Sequence, residues 1–125
     1  MLPELALMCL SLNVYWEARN QPLAGQLAVA QVTMNRVHDS RWPDNVCEVV
    51  YDHKQFSWYW DGKSDIPTEE KAWEAAMLVA SAAMHGSGHT DLIEVTHYHA
   101  IYSKPYWKDY MTKVAQIGDH VFYVE

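Results

Sequence analysis

The run Leu27-Ala28-Val29-Ala30-Gln31-Val32 is apolar on nearly every side of a helical wheel. A surface helix needs one buried stripe, but a helix without a polar face has to be enclosed by other elements. The segment that carries this run, from Pro22 in its first turn to about Val37, is therefore predicted to lie at the centre of the core. Half of the 125 residues are apolar, enough for one domain of this size to bury a core without staples.

The other elements are read around that helix. Leu2, Leu5, Cys9, Leu12 and Trp16, thickened by Ala6 and Met8, predict an amphipathic helix over 3–18 that ends near Arg19-Asn20. A short helical turn is expected at 46–51, after a loop at 38–45. Residues 55–60 read as an aromatic strand closed by Asp61-Gly62. Thr68 is the expected cap of a third long helix, with Glu69 and Glu70 in its first turn, a stripe of Trp73, Ala76, Met77, Ala80, Ala83 and Met84, and Gly86 at its end. Alternation over 92–99 predicts a strand with Ile93, Val95, His97 and His99 on one face. Segments 112–117 and 120–124 flank Gly118-Asp119, a two-residue link suited to a β-hairpin. The expectation is one α+β domain over 1–125, with three principal helices and a small antiparallel sheet.

A formal charge of −7 without a basic cluster argues against nucleic acid or anionic lipid as partners. No apolar run approaches the roughly 20 residues needed to span a bilayer, so no membrane insertion is expected. Met1-Leu2-Pro3-Glu4 has an early acid and no basic segment, which reads as no signal peptide. Synthesis in the cytoplasm, with delivery by another agent to any target outside it, is then expected. Cys9 and Cys47 are too few for a disulfide framework; two buried thiols are the expectation, with a single bridge open in an oxidising compartment.

Four groups of residues suggest chemistry. Glu17 ends the first helix beside Tyr15 and Trp16 and four residues after Asn13. A carboxyl packed against aromatic rings loses solvation, which raises its pKa and lets it carry a proton near neutrality. Spacing alone nevertheless favours a solvated surface glutamate paired with Arg19. Second, six Trp and eight Tyr include Tyr15, Trp16, Trp42, Trp58, Trp60, Tyr98, Tyr102, Tyr106 and Trp107, mostly near helix ends or loops. Rings with polar tips suit the C–H faces and hydroxyl edges of sugars, and about a third of these are expected to line a groove. Third, His97 and His99 share a strand face and, with His89, His120, Asp91 or Glu94, have the makings of a zinc site, although no compact metal motif is present. No metal or other cofactor is assigned. Fourth, Gln55 and Ser57 alternate with Phe56 and Trp58, so one face can pack while the other meets a ligand.

The blocks Cys9-Leu-Ser-Leu-Asn-Val-Tyr-Trp-Glu17-Ala-Arg19, Gly25-Gln26 to Asn35-Arg36-Val37, Pro43 to Tyr51, Gln55-Phe-Ser-Trp58, Thr96-His-Tyr-His-Ala100, Pro105-Tyr-Trp107 and Ile117-Gly-Asp-His-Val-Phe-Tyr123 closely resemble the SleB-type cell-wall hydrolases. They occur in the family order and span 9–123. The resemblance implies a lysozyme-like fold and cleavage of peptidoglycan between N-acetylmuramic acid and N-acetylglucosamine by lytic transglycosylation. It also implies that Glu17 is the catalytic acid, reversing the preference drawn from spacing. Asn20-Gln21 stands where the family usually has Gly-Glu, which removes one carboxylate from the neighbourhood.

On this reading Glu17 is catalytic, and Gln55, Ser57, Trp58, Tyr98 and His99 bind the glycan strand of peptidoglycan. The protein is expected to be a monomeric phage or prophage lysin acting on the bacterial wall. Two other readings are a metal-dependent amidase or peptidase using His97 and His99, and a glycan-binding module that does not cleave.

Overall fold

The computed structural model describes residues 3–52 and 66–125. Gln55, Ser57 and Trp58, the strand expected around them and the Asp61-Gly62 turn lie outside the described residues. Four helices are described: α1 (Pro3–Ala18), α2 (Leu23–Val37), α3 (Val46–Val50) and α4 (Glu70–Met84). Three strands follow, β1 (His97–Ala100), β2 (Thr112–Ile117) and β3 (His120–Val124), with short 3-10 turns at Thr90–Leu92 and Tyr106–Tyr110.

Helix α2 lies between two apolar clusters. Ala30 joins Leu10, Val14, Val46, Val50, Ala76 and Ala80 from the other helices. Ala28, Val29 and Val32 face Leu92, Val95 and the sheet residue Phe122. All four of these α2 side chains are essentially inaccessible to solvent. The apolar run therefore has partners on both sides, as its lack of a polar face requires.

Helix α1 is turned relative to the expected stripe. Leu5 and Met8 are exposed, while Ala6, Cys9, Leu10, Asn13, Val14 and Ala18 are buried. Apolar residues occur on every side of this helix, so periodicity could not fix which side packs. The observed face continues by helical spacing from Leu10 through Asn13 and Val14 to Glu17. The carboxylate thus ends the buried row instead of standing beside it.

The start of α4 also corrects an expectation. Glu69, not Thr68, is the residue before the helix, and its side chain makes no cap bond. The phenolic oxygen of Tyr15 on α1 instead accepts from the backbone N–H groups of Thr68 and Glu69, at 3.2 and 3.1 Å. Two donors at the helix entry are thereby satisfied from another helix. Pro22 likewise stands just before α2 instead of within its first turn. Gly86, at φ 99°, ends α4 as expected.

Cys9 and Cys47 form a disulfide across 38 positions, with Cα atoms 5.2 Å apart. This replaces the expected pair of buried thiols. It ties α1 to α3, which Asn45 caps through a bond from the Glu48 N–H.

The sheet is antiparallel with β3 in the middle, in the order β1-β3-β2. The β2–β3 hairpin turns at Gly118, φ 58°, as anticipated. β1 is shorter than expected. Leu92 and Val95 are both buried in the α2 cluster, three residues apart, so the chain before His97 is not alternating strand. Asn35 on α2 donates to the carbonyls of Leu92 and Val95, at 2.8 Å each. That side chain satisfies backbone groups that a strand would have paired within the sheet.

Candidate active site

Glu17 sits in the last turn of α1 and forms part of the wall of two adjoining hollows. The larger, about 490 Å³, is also lined by Trp16, Arg36, Tyr98, Tyr102, Trp107 and His120. The smaller, about 180 Å³, lies toward Arg19, Gln21 and Asp119. Trp16, Ala100, Tyr102 and His120 belong to both, so Glu17 stands in the wall that the two lobes of this groove share. Four of the nine aromatic residues singled out from the sequence (Trp16, Tyr98, Tyr102 and Trp107) line it; Trp58 and Trp60 lie outside the described residues.

The Tyr98 hydroxyl donates to Glu17 Oε1 at 3.1 Å. Burial pushes the Glu17 carboxyl up to about 7, and the Tyr98 hydrogen bond opposes that rise. Burial, with the carboxylate beside it, holds the Tyr98 phenol well above its ordinary value, so it stays protonated and keeps donating. Oε1 is thus occupied and the proton of the acid form belongs on Oε2. Arg19 does not pair with Glu17: its Nε bonds Glu69, and its guanidinium lies over the Tyr15 and Trp16 rings.

The pairing of β1 with β3 sorts the remaining candidates. Tyr98 is opposite Phe122 and Ala100 opposite His120, so these four share the face toward Glu17. His97 and His99 share the other face, as their spacing predicted, and both rings meet Trp107 edge-on, at 5.2 and 5.8 Å between centroids. His99 borders the larger lobe, yet its ring nitrogens are engaged: Nδ1 with the Ala100 carbonyl at 2.7 Å and Nε2 with the Tyr123 hydroxyl at 2.8 Å. It acts as a fixed piece of wall. The other ligand candidates are scattered. His89 reaches the Ala24 carbonyl, and Glu94 lines a separate hollow of about 550 Å³ with His38 and Asp39. Among the described residues, no three His, Cys, Asp or Glu side chains converge. Around that separate hollow, Arg41 bridges the Asp39 and Glu125 carboxylates.

Two groove residues had been given no glycan-binding role. Arg36 is buried, donates through Nε to the Thr96 carbonyl at 2.8 Å and stacks on Trp42. Its signal was visible as an arginine in the last turn of a helix that is otherwise enclosed. His120, considered only as a metal ligand, is buried with its ring edge-on to Tyr98 at 5.2 Å.

The Asn20-Gln21 departure also finds an explanation. Gln21 accepts from the Asp119 backbone N–H at 2.8 Å and donates to the Asp119 carboxylate at 3.1 Å. One amide thereby clamps the hairpin turn onto the corner after α1, using both its donor and its acceptor. A glutamate there would set a second negative charge against Asp119.

A buried carboxyl raised to about 7 in the wall of an aromatic-lined groove can both give and take a proton near neutrality, the chemistry of a general acid and base, here on a helix-rich α+β domain. The family model for cell wall hydrolases matches residues 20–123, and the chain belongs to that family. It is 32% identical over 109 residues to the spore cortex-lytic enzyme of Oceanobacillus iheyensis and 31% identical over 111 to that of Halalkalibacterium halodurans. These alignments cover 87% of this chain and 38% and 32% of the relatives, so the chain spans about a third of their length. The catalytic domain of the germination-specific lytic transglycosylase SleB from Bacillus anthracis superposes with a TM-score of 0.79 and 27% identity. That match covers 94% of this chain and 93% of the domain. The catalytic domain of the Bacillus cereus SleB protein gives 0.76 and 26%, over 95% and 90%. The mixed α+β fold expected from the sequence is therefore the SleB catalytic-domain fold.

Proposed function

We propose that this protein is a peptidoglycan lytic transglycosylase that cleaves the bond between N-acetylmuramic acid and N-acetylglucosamine, with Glu17 as its catalytic acid and base. The observation that carries the reading is the Glu17 carboxyl, raised to about 7 by burial between the two lobes of the groove, with one oxygen bound by Tyr98. Glu17 Oε2 gives its proton to the glycosidic oxygen as the C1–O bond breaks, and the bonding pair leaves with that oxygen. Positive charge develops at C1 of the muramic acid. The carboxylate then takes the proton of the sugar's own 6-hydroxyl as O6 bonds to C1. A 1,6-anhydro ring results, Glu17 is again protonated and no water is consumed.

This route needs one carboxylate, whereas hydrolysis ordinarily needs two flanking the bond. Among the described residues, the larger lobe has no carboxylate besides Glu17, and Asp119 in the smaller lobe is held by Gln21. Glu94 lies in the separate hollow, and the acids Asp61 and Asp65 lie outside the described residues. Tyr98 sets the proton position on Glu17 while His99 shapes the wall. Gln55, Ser57 and Trp58 remain part of the proposal as glycan contacts.

Purified peptidoglycan digested with the protein is expected to release muropeptides lighter by one water than hydrolytic products. Ordinary reducing ends in their place would refute transglycosylation. A monomeric lysin working outside the cytoplasm belongs to the same proposal, supported by the Cys9–Cys47 bridge, which suits an oxidising compartment. It predicts that cells making the protein lyse only when it is exported.

A further inference from the structure

His120 is only 7% exposed, and its Nδ1 is cut off from solvent with no hydrogen-bond partner. Its Nε2 bonds to nothing among the described residues and is not among the sealed atoms, so it meets the groove that His120 helps to line on both sides of Glu17. Neutral imidazole carries one N–H. A buried donor without an acceptor is rarer and more costly than a buried acceptor without a donor. The proton is therefore placed on Nε2, the nitrogen with access to a ligand. Sealed among Tyr98 and Phe122, the ring resists taking a second proton, since burial lowers its pKa.

We infer that His120 is a fixed, neutral hydrogen-bond donor to an oxygen of the N-acetyl sugar bound beside Glu17. This rests on the glycan-cleaving function proposed above and adds a substrate-contacting residue to it. A neutral donor suits the site. It orients a sugar oxygen without placing a full positive charge beside an oxocarbenium-like centre, where like charges would repel. The orphaned Nδ1 has a second meaning. No hydrogen bond to the ring is lost when it is replaced and a buried unpaired nitrogen is removed, so an apolar side chain of similar size should not weaken the fold.

The test uses the full chain in three variants. His120→Leu removes the donor, His120→Asn keeps a nitrogen near Nδ1 only, and His120→Gln reaches the Nε2 position. Expected are a roughly ten- to hundredfold fall in kcat/KM on soluble glycan strands for Leu and Asn, recovery of most of that loss with Gln, and an unchanged or higher Tm for Leu. Equal losses in Leu and Gln, or a Leu variant that unfolds more readily, would overturn the assignment. Nitrogen-15 NMR of the unmodified protein gives an answer independent of turnover. It should show the Nε2–H tautomer, with that signal moving when N-acetylglucosaminyl-N-acetylmuramic acid is added. The Nδ1–H tautomer or an unmoved signal refutes the inference even if the enzyme is active. An inactive wild type with a responsive His120 would instead overturn the proposed cleavage while leaving the sugar contact standing.

Discussion

Replacing Glu17 by Gln should abolish wall lysis and, at neutral and higher pH, make the protein more stable. In the unfolded chain the carboxyl titrates at its ordinary 4.5, whereas in the folded protein burial raises it to about 7. Between those values the folded state holds a proton that the unfolded state has lost, so stability falls as pH rises through this window. At roughly 1.4 kcal/mol per pH unit, the full penalty of keeping the charged group buried is about 3 kcal/mol above pH 7, and it vanishes below 4.5. Gln has nearly the same volume and retains an oxygen for the Tyr98 hydroxyl, but it never ionises. Urea unfolding followed by tryptophan fluorescence at several pH values from 4 to 8 measures the difference between the two proteins. Other titrating groups are common to both and cancel. The variant should match the wild type at the acid end and exceed it by about 2–3 kcal/mol at pH 8. A difference independent of pH would refute the buried-acid argument, and a variant that still clears purified walls would refute the catalytic assignment.

Tyr98→Phe removes the bond that favours the Glu17 carboxylate. The alkaline limb of the pH–rate profile, above which the acid has lost its proton, should therefore move to higher pH while kcat falls roughly tenfold or more. Cys9→Ser frees a loop of 38 positions and should lower unfolding free energy by up to about 4 kcal/mol in the chain-entropy account, measurable by denaturant titration with and without reductant. Gly118→Ala demands a left-handed alanine whose Cβ would collide with Gln21 Oε1. It should destabilise by about 1–2 kcal/mol and lower activity by loosening the clamp between the hairpin and the end of α1, which Tm and kcat together will report.

What could be read from the sequence followed from constraints that act locally or by pattern. The enclosed helix α2, the Gly118-Asp119 hairpin and the stop at Gly86 each need only neighbouring residues to be recognised. The buried side of α1 was not readable, because a helix apolar all round carries no phase; only packing against α2, α3 and α4 settles that Glu17 continues the buried row. The Tyr15 phenol at the start of α4 and the Asn35 amide beneath Leu92 and Val95 join positions more than fifty residues apart. No local pattern announces such contacts. Glu17 is a candidate from its aromatic neighbours alone, but only the resemblance favours it over a surface glutamate, and burial with the Tyr98 bond supplies what spacing could not. The assignment of His97 and His99 to one face was sound, yet Glu17 is faced from the other side of the sheet, by Tyr98 and His120.

The central place of β3 in the sheet has a consequence for the order of events during biosynthesis. Glu17 is carried by α1, but His120 and the strand that positions Tyr98 come more than a hundred residues later in the chain. Until β3 slots between β1 and β2, the groove lacks a wall and the Tyr98 hydroxyl has no fixed seat. A chain that ends before β3 would therefore carry Glu17 without a seated Tyr98, and the proposed cleavage would have to await the last strand.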